Sequence, residues 1–236
     1  MRVASLLLPP RLRGIEHLDD PALDPALALR SLRDIRLSNR LFGGTDAVLR
    51  ELRPIFASAR DLGRPLTLLD VGTGSGDVPA AARALAQEHG VSLVSFGLEW
   101  TLPLANAASR SAGPCAAADA RRLPFGTQSV DIVTCSQLLH HFDDANGRLL
   151  IAELHRVARR VVIVGEIRRS WLAAAGIWVA SWLLRFHPVS RHDGVVSVFR
   201  GFTAGELSSA VSRTVDALPR VRRALGFRLT ATWSRL

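Results

Sequence analysis

The 236-residue chain contains no lysine and no tyrosine; all 30 of its Lys/Arg positions are arginine. A Schiff-base lysine, a phosphate-loop lysine and a tyrosine acid or base are therefore excluded from its chemistry. Cysteine is scarce. Cys115 and Cys135 are too far apart for a CxxC pair and sit in apolar segments, so they read as reduced buried thiols of a cytoplasmic protein. Long apolar runs are missing too: the longest uncharged stretch is Ser170 to Leu184, short of the ~20 residues that span a bilayer. At the N-terminus, Leu6-Leu7-Leu8 precedes Pro9-Pro10 without the apolar length or the A-x-A site of a secretory signal. No heptad, triplet or internal repeat is sustained.

Hydrophobic residues make up 48% of the chain and charged residues 22%, enough to bury the core of one generous domain. Arginine in place of lysine, with abundant alanine, points to a high-GC bacterial genome. The net charge of +9 raises nucleic acid as a partner. The arginines, however, are dispersed as singles and pairs (Arg121-Arg122, Arg159-Arg160, Arg168-Arg169, Arg222-Arg223). Without a basic block or interleaved aromatics, no nucleic acid is expected; an anionic substrate or peripheral contact with a membrane is the remaining use of the charge.

Residues 21–62 read as helical and break at Gly43-Gly44. From Gly63 onward, short apolar runs alternate with amphipathic segments. Strands are expected over Leu66–Val71, Val91–Leu98, Cys115–Ala118, Val130–Cys135 and Val161–Gly165. Helices are expected after the glycine turn, over Leu102–Ser111 and over Asp143–Arg159. That order predicts an α/β fold, a doubly wound, mostly parallel seven-stranded sheet. Residues 1–62 would form an N-terminal helical cap and residues 63–236 the ligand-binding domain, with a helical lid at about 168–200. Within the lid a Trp-rich helix, Ser170–Arg185, leads into a polar loop, His187–Arg200. Thr203 and Glu206 form a capping box for the next helix, and Val211–Leu218 and Phe227–Trp233 are candidate last strands.

The strongest motif is Asp70-Val-Gly72-Thr73-Gly74-Ser75-Gly76, set between the first strand and the first helix of the alternating pattern. Glycines here allow a tight turn and close approach of a ligand, and the helix terminus offers N–H donors. Its G-x-G-x-G spacing differs from the G-x-G-x-x-G of dinucleotide sites and suits a nucleoside with an amino-acid tail. Glu99 ends the second strand, where a carboxylate accepts ribose hydroxyls. Trp100 is placed to lie against a purine, and Asp119, leaving the third strand, to accept from an adenine amino group.

At these residues the chain resembles the class I S-adenosylmethionine-dependent methyltransferases, over about Leu66 to Ile167 and more loosely beyond. Within that class the segment Asp119–Phe125 and the segment Val130–Phe142 resemble the quinone-biosynthesis-type, small-molecule branch. The resemblance implies a Rossmann-like methyltransferase fold, S-adenosylmethionine as cofactor, and cofactor contacts at Ser75, Glu99, Asp119, Ala120 and Ser136. Glu99 stands where Asp is common, and Pro79 falls in a first helical turn, where proline is tolerated.

On the acceptor side, a phenol with pKa about 10 is a weak nucleophile at neutral pH, and a nearby base helps. His140 and His141 follow the fourth strand and Glu166 ends the fifth; these strands should be neighbours, so Glu166 can orient an imidazole. His140, His141 and Glu166 are thus the candidate catalytic residues. No metal is expected: adjacent histidines should diverge, and Asp143-Asp144 reads as a helix cap. Trp171, Trp178 and Trp182 recur at helical spacing, as core or as an apolar lid. Ser136-Gln-Leu-Leu replaces the Asn/Asp-Pro-Pro-aromatic motif of base-methylating enzymes. The expected reaction is O-methylation of a small, apolar, phenolic or quinol-like acceptor, as in secondary metabolism. The alternatives are a quinone-precursor C-methyltransferase and an NAD(P)-dependent oxidoreductase.

Overall fold

Apolar side chains on both faces of successive strands drive the chain into a sheet covered by helices on each side. The computed structural model describes residues 8–20, 22–60 and 62–235. Two helices, α1 (Pro25–Leu41) and α2 (Gly44–Ala57), precede β1 (Leu66–Val71), α3 (Asp77–Glu88), β2 (Leu93–Glu99), α4 (Leu102–Ala112) and β3 (Cys115–Ala117). Then come β4 (Val130–Ser136), α5 (Asp144–Val157), β5 (Ala158–Ile167), α6 (Trp171–Leu183), α7 (Pro188–Arg200), α8 (Ala204–Ser212), β6 (Arg220–Ala224) and β7 (Arg228–Ser234). The seven strands lie in the order β3-β2-β1-β4-β5-β7-β6. Strand β7 runs antiparallel to both β5 and β6, and the other pairs are parallel. The chain reverses direction of winding between β1 and β4, and ligands of such sheets bind at the strand carboxyl ends beside that reversal.

Alternation along β1 splits the core in two. Leu66 and Leu68 face a layer built with Val48, Leu52 and Phe56 of α2 and Ala82 and Leu85 of α3. Leu69 and Val71 face Leu150, Leu154 and Val157 of α5 and Leu207 of α8. Helix α2, expected within a 1–62 cap, is therefore a layer of the same core as the sheet. The capping box at Thr203 is present, with Glu206 N–H on the Thr203 hydroxyl at 3.2 Å and Thr203 N–H on the Glu206 carboxylate at 2.7 Å.

Two expectations are corrected. His187–Arg200 is not a loop: Pro188 opens helix α7, and the His187 ring caps it by accepting Val189 N–H at 3.3 Å. Pro at a first helical position is preorganised for this role. Val211–Leu218 is not a strand: Val211 lies in the last turn of α8, and Val211 and Val215 bury their side chains in the core. The strand is Arg220–Ala224, an edge strand dominated by arginines. Charge on an edge discourages pairing with other chains and erases the apolar alternation that marks interior strands.

Candidate active site

The carboxyl ends of β1, β2, β4 and β5 open into one cavity of about 350 Å3. Helix α1 contributes Leu32, Ile35 and Asn39 to its wall, and α6 contributes Leu172, Ala173, Gly176 and Ile177. Asp70, Gly72, Thr73, Gly74, Ser75, Glu99, Ser136, His140 and His141 all line it. Topology thus brings nine of the expected residues to one space.

At the β1 end the backbone turns through left-handed conformations at Gly72, Gly74 and Gly76. Their requirements differ. A Cβ on Gly72 would lie 2.8 Å from Leu138, and one on Gly76 would lie 2.6 Å from the Ala112 backbone, so both permit packing. A Cβ on Gly74 would meet only Leu32, at 3.8 Å; that glycine faces the open cavity. Glu99 is buried and accepts the Gly74 N–H as well as its neighbour Trp100 N–H at 3.3 Å. Burial pushes its carboxyl pKa up, against those two bonds. Asp70 is buried beside it, accepts the Thr134 hydroxyl at 2.6 Å, and is pushed by burial up to about 7. Two buried carboxyl groups, with the Thr73 hydroxyl beside Asp70, form a set suited to a ligand with hydroxyls and a cationic centre.

Four expected contacts point elsewhere, and a fifth, Ser75, lines the cavity but spends its hydroxyl on Asp77. The Asp119 carboxylate is held by Arg121 in a two-pronged ion pair, at 2.8 Å on Nη2 and 3.0 Å on Nε, which depresses its pKa. Ala120 packs with Leu123 in the core. Trp100 is 55% exposed and stands outside the cavity wall. Gly76 serves the contact between α3 and α4. Ser75 donates to Asp77 at 2.9 Å at the start of α3.

At the other end β4 and β5 pair in parallel, with Ser136 opposite Gly165, and the neighbouring Glu166 meets His140. The His140 ring holds Glu166 at 2.8 Å through Nδ1; both side chains are buried. Burial alone would raise the Glu166 pKa, but the His140 charge and hydrogen bond outweigh it and hold the carboxyl below its usual range. An ionised carboxylate only accepts, so His140 Nδ1 carries a proton toward Glu166 and Nε2 is the ring nitrogen left to face the cavity. That Nε2 is buried, without a hydrogen-bond partner, in a residue that lines the cavity.

The expectation that the two histidines diverge is corrected. Their rings stack at 4.4 Å, because a turn of 3-10 helix at Leu139–His141 closes on itself. His141 holds Asp19 at 2.5 Å, and Glu16 lies 3.7 Å from His140 Nε2 and 3.8 Å from His141 Nε2. Glu16, His140 and His141 thus present a compact donor set of the kind that could hold a metal ion, but a guanidinium already supplies positive charge there. Arg200 reaches Glu16 at 3.4 Å and Asp19 at 2.5 Å, and donates to the His140 carbonyl at 3.0 Å. Burial would raise the Asp19 pKa, but His141 and Arg200 outweigh it and hold the carboxyl well below the carboxylate range. Glu16, with less compensation, is raised by burial. Sequence reasoning missed Glu16, Asp19 and Arg200, and also a polar chain on the cavity wall. There Gln137 donates to Asn39 at 2.5 Å and accepts from Arg228 at 2.7 Å.

Residues 69–163 match the family model of the methyltransferase domain. The match spans less than half of the chain and gives that part a methyltransferase domain, with S-adenosylmethionine as its cofactor; the fold around it is that of S-adenosylmethionine-dependent methyltransferases, and the oxidoreductase alternative is set aside. Among solved structures it is similar to the magnesium protoporphyrin IX methyltransferase of Synechocystis PCC 6803 with bound S-adenosylhomocysteine. Identity is 17%, 86% of each chain is covered and the TM-score is 0.56. A SAM-dependent methyltransferase from Aquifex aeolicus shares 15% identity over 91% of this chain and 100% of that one, with a TM-score of 0.59. A SAM-dependent methyltransferase from Thermotoga maritima, described as a possible histamine N-methyltransferase, shares 13% over 88% and 99%, with a TM-score of 0.53. At such identities the likeness is one of fold. No curated protein matches the chain.

Proposed function

We propose that this methyltransferase acts on a hydroxyl of a small, mainly apolar, phenolic or quinol-like acceptor, with His140 as the base. One observation carries the reading: a buried imidazole lines the cavity with its Nδ1 fixed by Glu166 and its Nε2 free of hydrogen bonds, 3.7 Å from Glu16. The cofactor supplies a methyl group made electrophilic by its sulfonium. Asp70, Gly74 and Glu99 would hold it at the β1 end, with Thr73 and Ser136 alongside. His140 takes the hydroxyl proton and so raises the nucleophilicity of a group that is neutral at physiological pH. Glu166 is a positioning residue that fixes the tautomer and stabilises the protonated ring. His141, stacked on His140 and tied to Asp19, restrains the ring from the other side. Leu32, Ile35, Leu172 and Ile177 give the acceptor apolar walls and keep water from the transfer.

Helix α6 supports a role as lid. Its inner face lines the cavity, and the three tryptophans lie outside: Trp171, Trp178 and Trp182 are each more than half exposed. They are neither core nor cavity wall. An uncharged helix face of this kind, with Arg185 exposed at its end, suits peripheral contact with a membrane from which an apolar acceptor would be drawn. Among the described residues no helix is long and apolar enough to cross a membrane. The test is a methyl-transfer screen of phenols and quinols, with products assigned as O- or C-methylated by NMR. O-methyl products at a His140-dependent rate are expected; exclusive C-methylation would replace the O-methyl reading.

A further inference from the structure

Among the described residues three arginines are buried: Arg169, Arg200 and Arg228. Arg169 meets the Glu206 carboxylate at 2.8 Å, and Arg200 meets Asp19 at 2.5 Å. Arg228 differs. It is 6% exposed, yet among the described residues no carboxylate lies within ion-pair distance of its guanidinium. Its bonds go to neutral oxygens, from Nε to the Phe42 carbonyl at 3.3 Å and from Nη1 to the Gln137 side chain at 2.7 Å. Nη2 has no protein partner among the described residues.

A buried cation without a counter-charge is costly, and buried charges are ordinarily paired. Arg228 lines the cavity. Its position in the sheet, opposite Ile167 on β5 and next to the Leu229–Glu166 pair, places it at the acceptor end with His140 and Glu166. The guanidinium is held from two sides, by the Phe42 carbonyl and by the chain Arg228–Gln137–Asn39, so its remaining donors are fixed before a ligand arrives. Glu166 is not its missing partner, since that carboxylate is engaged by His140 Nδ1, His140 N–H and Ile167 N–H.

We propose that Arg228 is the specificity residue of the acceptor site, and that the acceptor carries a carboxylate beside the hydroxyl that receives the methyl group. The class is an alkylated hydroxybenzoate rather than a neutral phenol. This rests on the small-molecule methyltransferase reading above and deepens it. A guanidinium fork matches a carboxylate in two parallel N–H···O bonds. The surrounding apolar walls accept the ring and its alkyl chain.

The test compares an alkylated salicylate with the matching alkylphenol, by calorimetry in the presence of S-adenosylhomocysteine and by kcat/KM. The wild type should favour the salicylate by roughly 10- to 150-fold, the range for hydrogen bonds to a charged group. Arg228→Met should erase that preference by weakening the salicylate alone, leaving the alkylphenol and S-adenosylhomocysteine affinities unchanged. Arg228→Lys should restore part of it. Equal binding of both probes by the wild type would overturn the proposal, and this arm holds even if the Met variant fails to fold. Loss of S-adenosylhomocysteine binding in a folded Arg228→Met protein would also overturn it, by assigning the arginine to the cofactor's carboxylate. If the salicylate binds selectively but neither probe is methylated, Arg228 recognition stands and the O-methyl reading fails.

Discussion

Glu99→Gln separates the two jobs of a buried carboxylate. In the structure Glu99 accepts the Gly74 N–H and so shapes the glycine turn, and it lines the cavity where the proposed ribose contact would fall. Glutamine keeps a carbonyl oxygen for Gly74 but loses the charge and turns an NH2 toward the ligand. Burial already raises the Glu99 pKa, so removing the charge relieves a desolvation penalty that offsets the loss of the Trp100 N–H bond, and the ligand-free variant should melt near wild type at pH 8. Binding should suffer, since hydrogen bonds to a charged group contribute about 1.5–3 kcal/mol. Affinity for S-adenosylhomocysteine should therefore fall roughly 10- to 150-fold, read by isothermal calorimetry at constant pH. A Kd within about twofold of wild type, in a protein of unchanged Tm, would place the ribose elsewhere and refute the assignment.

Gly74→Val should reduce S-adenosylhomocysteine binding below detection, because its side chain enters open cavity at a φ of +58° that β-branched residues avoid; unchanged affinity in calorimetry would show that the ligand does not pass over this turn. Asp70→Asn should alter the pH profile of stability. A carboxyl whose folded pKa is raised to about 7 contributes stability that is complete below its unfolded value of about 4 and is lost as pH rises through 7, a span on the order of 4 kcal/mol. The ligand-free variant should thus melt above wild type at pH 8.5 and match it near pH 4; parallel profiles would mean that Asp70 is not neutral near pH 5.

Much of this was legible in the sequence because it depends on local patterning. Doubly apolar runs at Leu66–Val71 and Val130–Cys135 marked interior parallel strands, and parallel neighbours necessarily bring the ends of β4 and β5 together, which is why the His140–Glu166 contact followed from order alone. Glu16, Asp19 and Arg200 were not legible, since they reach the histidines from segments far away in sequence with no spacing to announce them. Arg228 was hidden similarly: one arginine among 30 basic residues gives no sign that it is buried. Helix α7 was misread because His192, Asp193 and Gly194 dilute its apolar periodicity, although Pro188 after His187 carried a start signal. Edge strand β6 lacks an apolar face to read. Asp119 illustrates the reverse limit: an acid at a strand end looks free until the arginine two residues on is seen to fold back onto it.

The central assignment is tested most directly by kcat for methyl transfer to a phenolic acceptor in His140→Gln, measured beside the Kd for S-adenosylhomocysteine. Glutamine preserves a buried polar group near Glu166 and removes the base. With His140 as the proton acceptor, kcat should fall by roughly 10²- to 10⁴-fold while the Kd stays at its wild-type value, and the residual rate should rise with pH as the phenol ionises on its own. A kcat equal to wild type, at unchanged Kd, would contradict the base and leave alignment alone to drive the transfer.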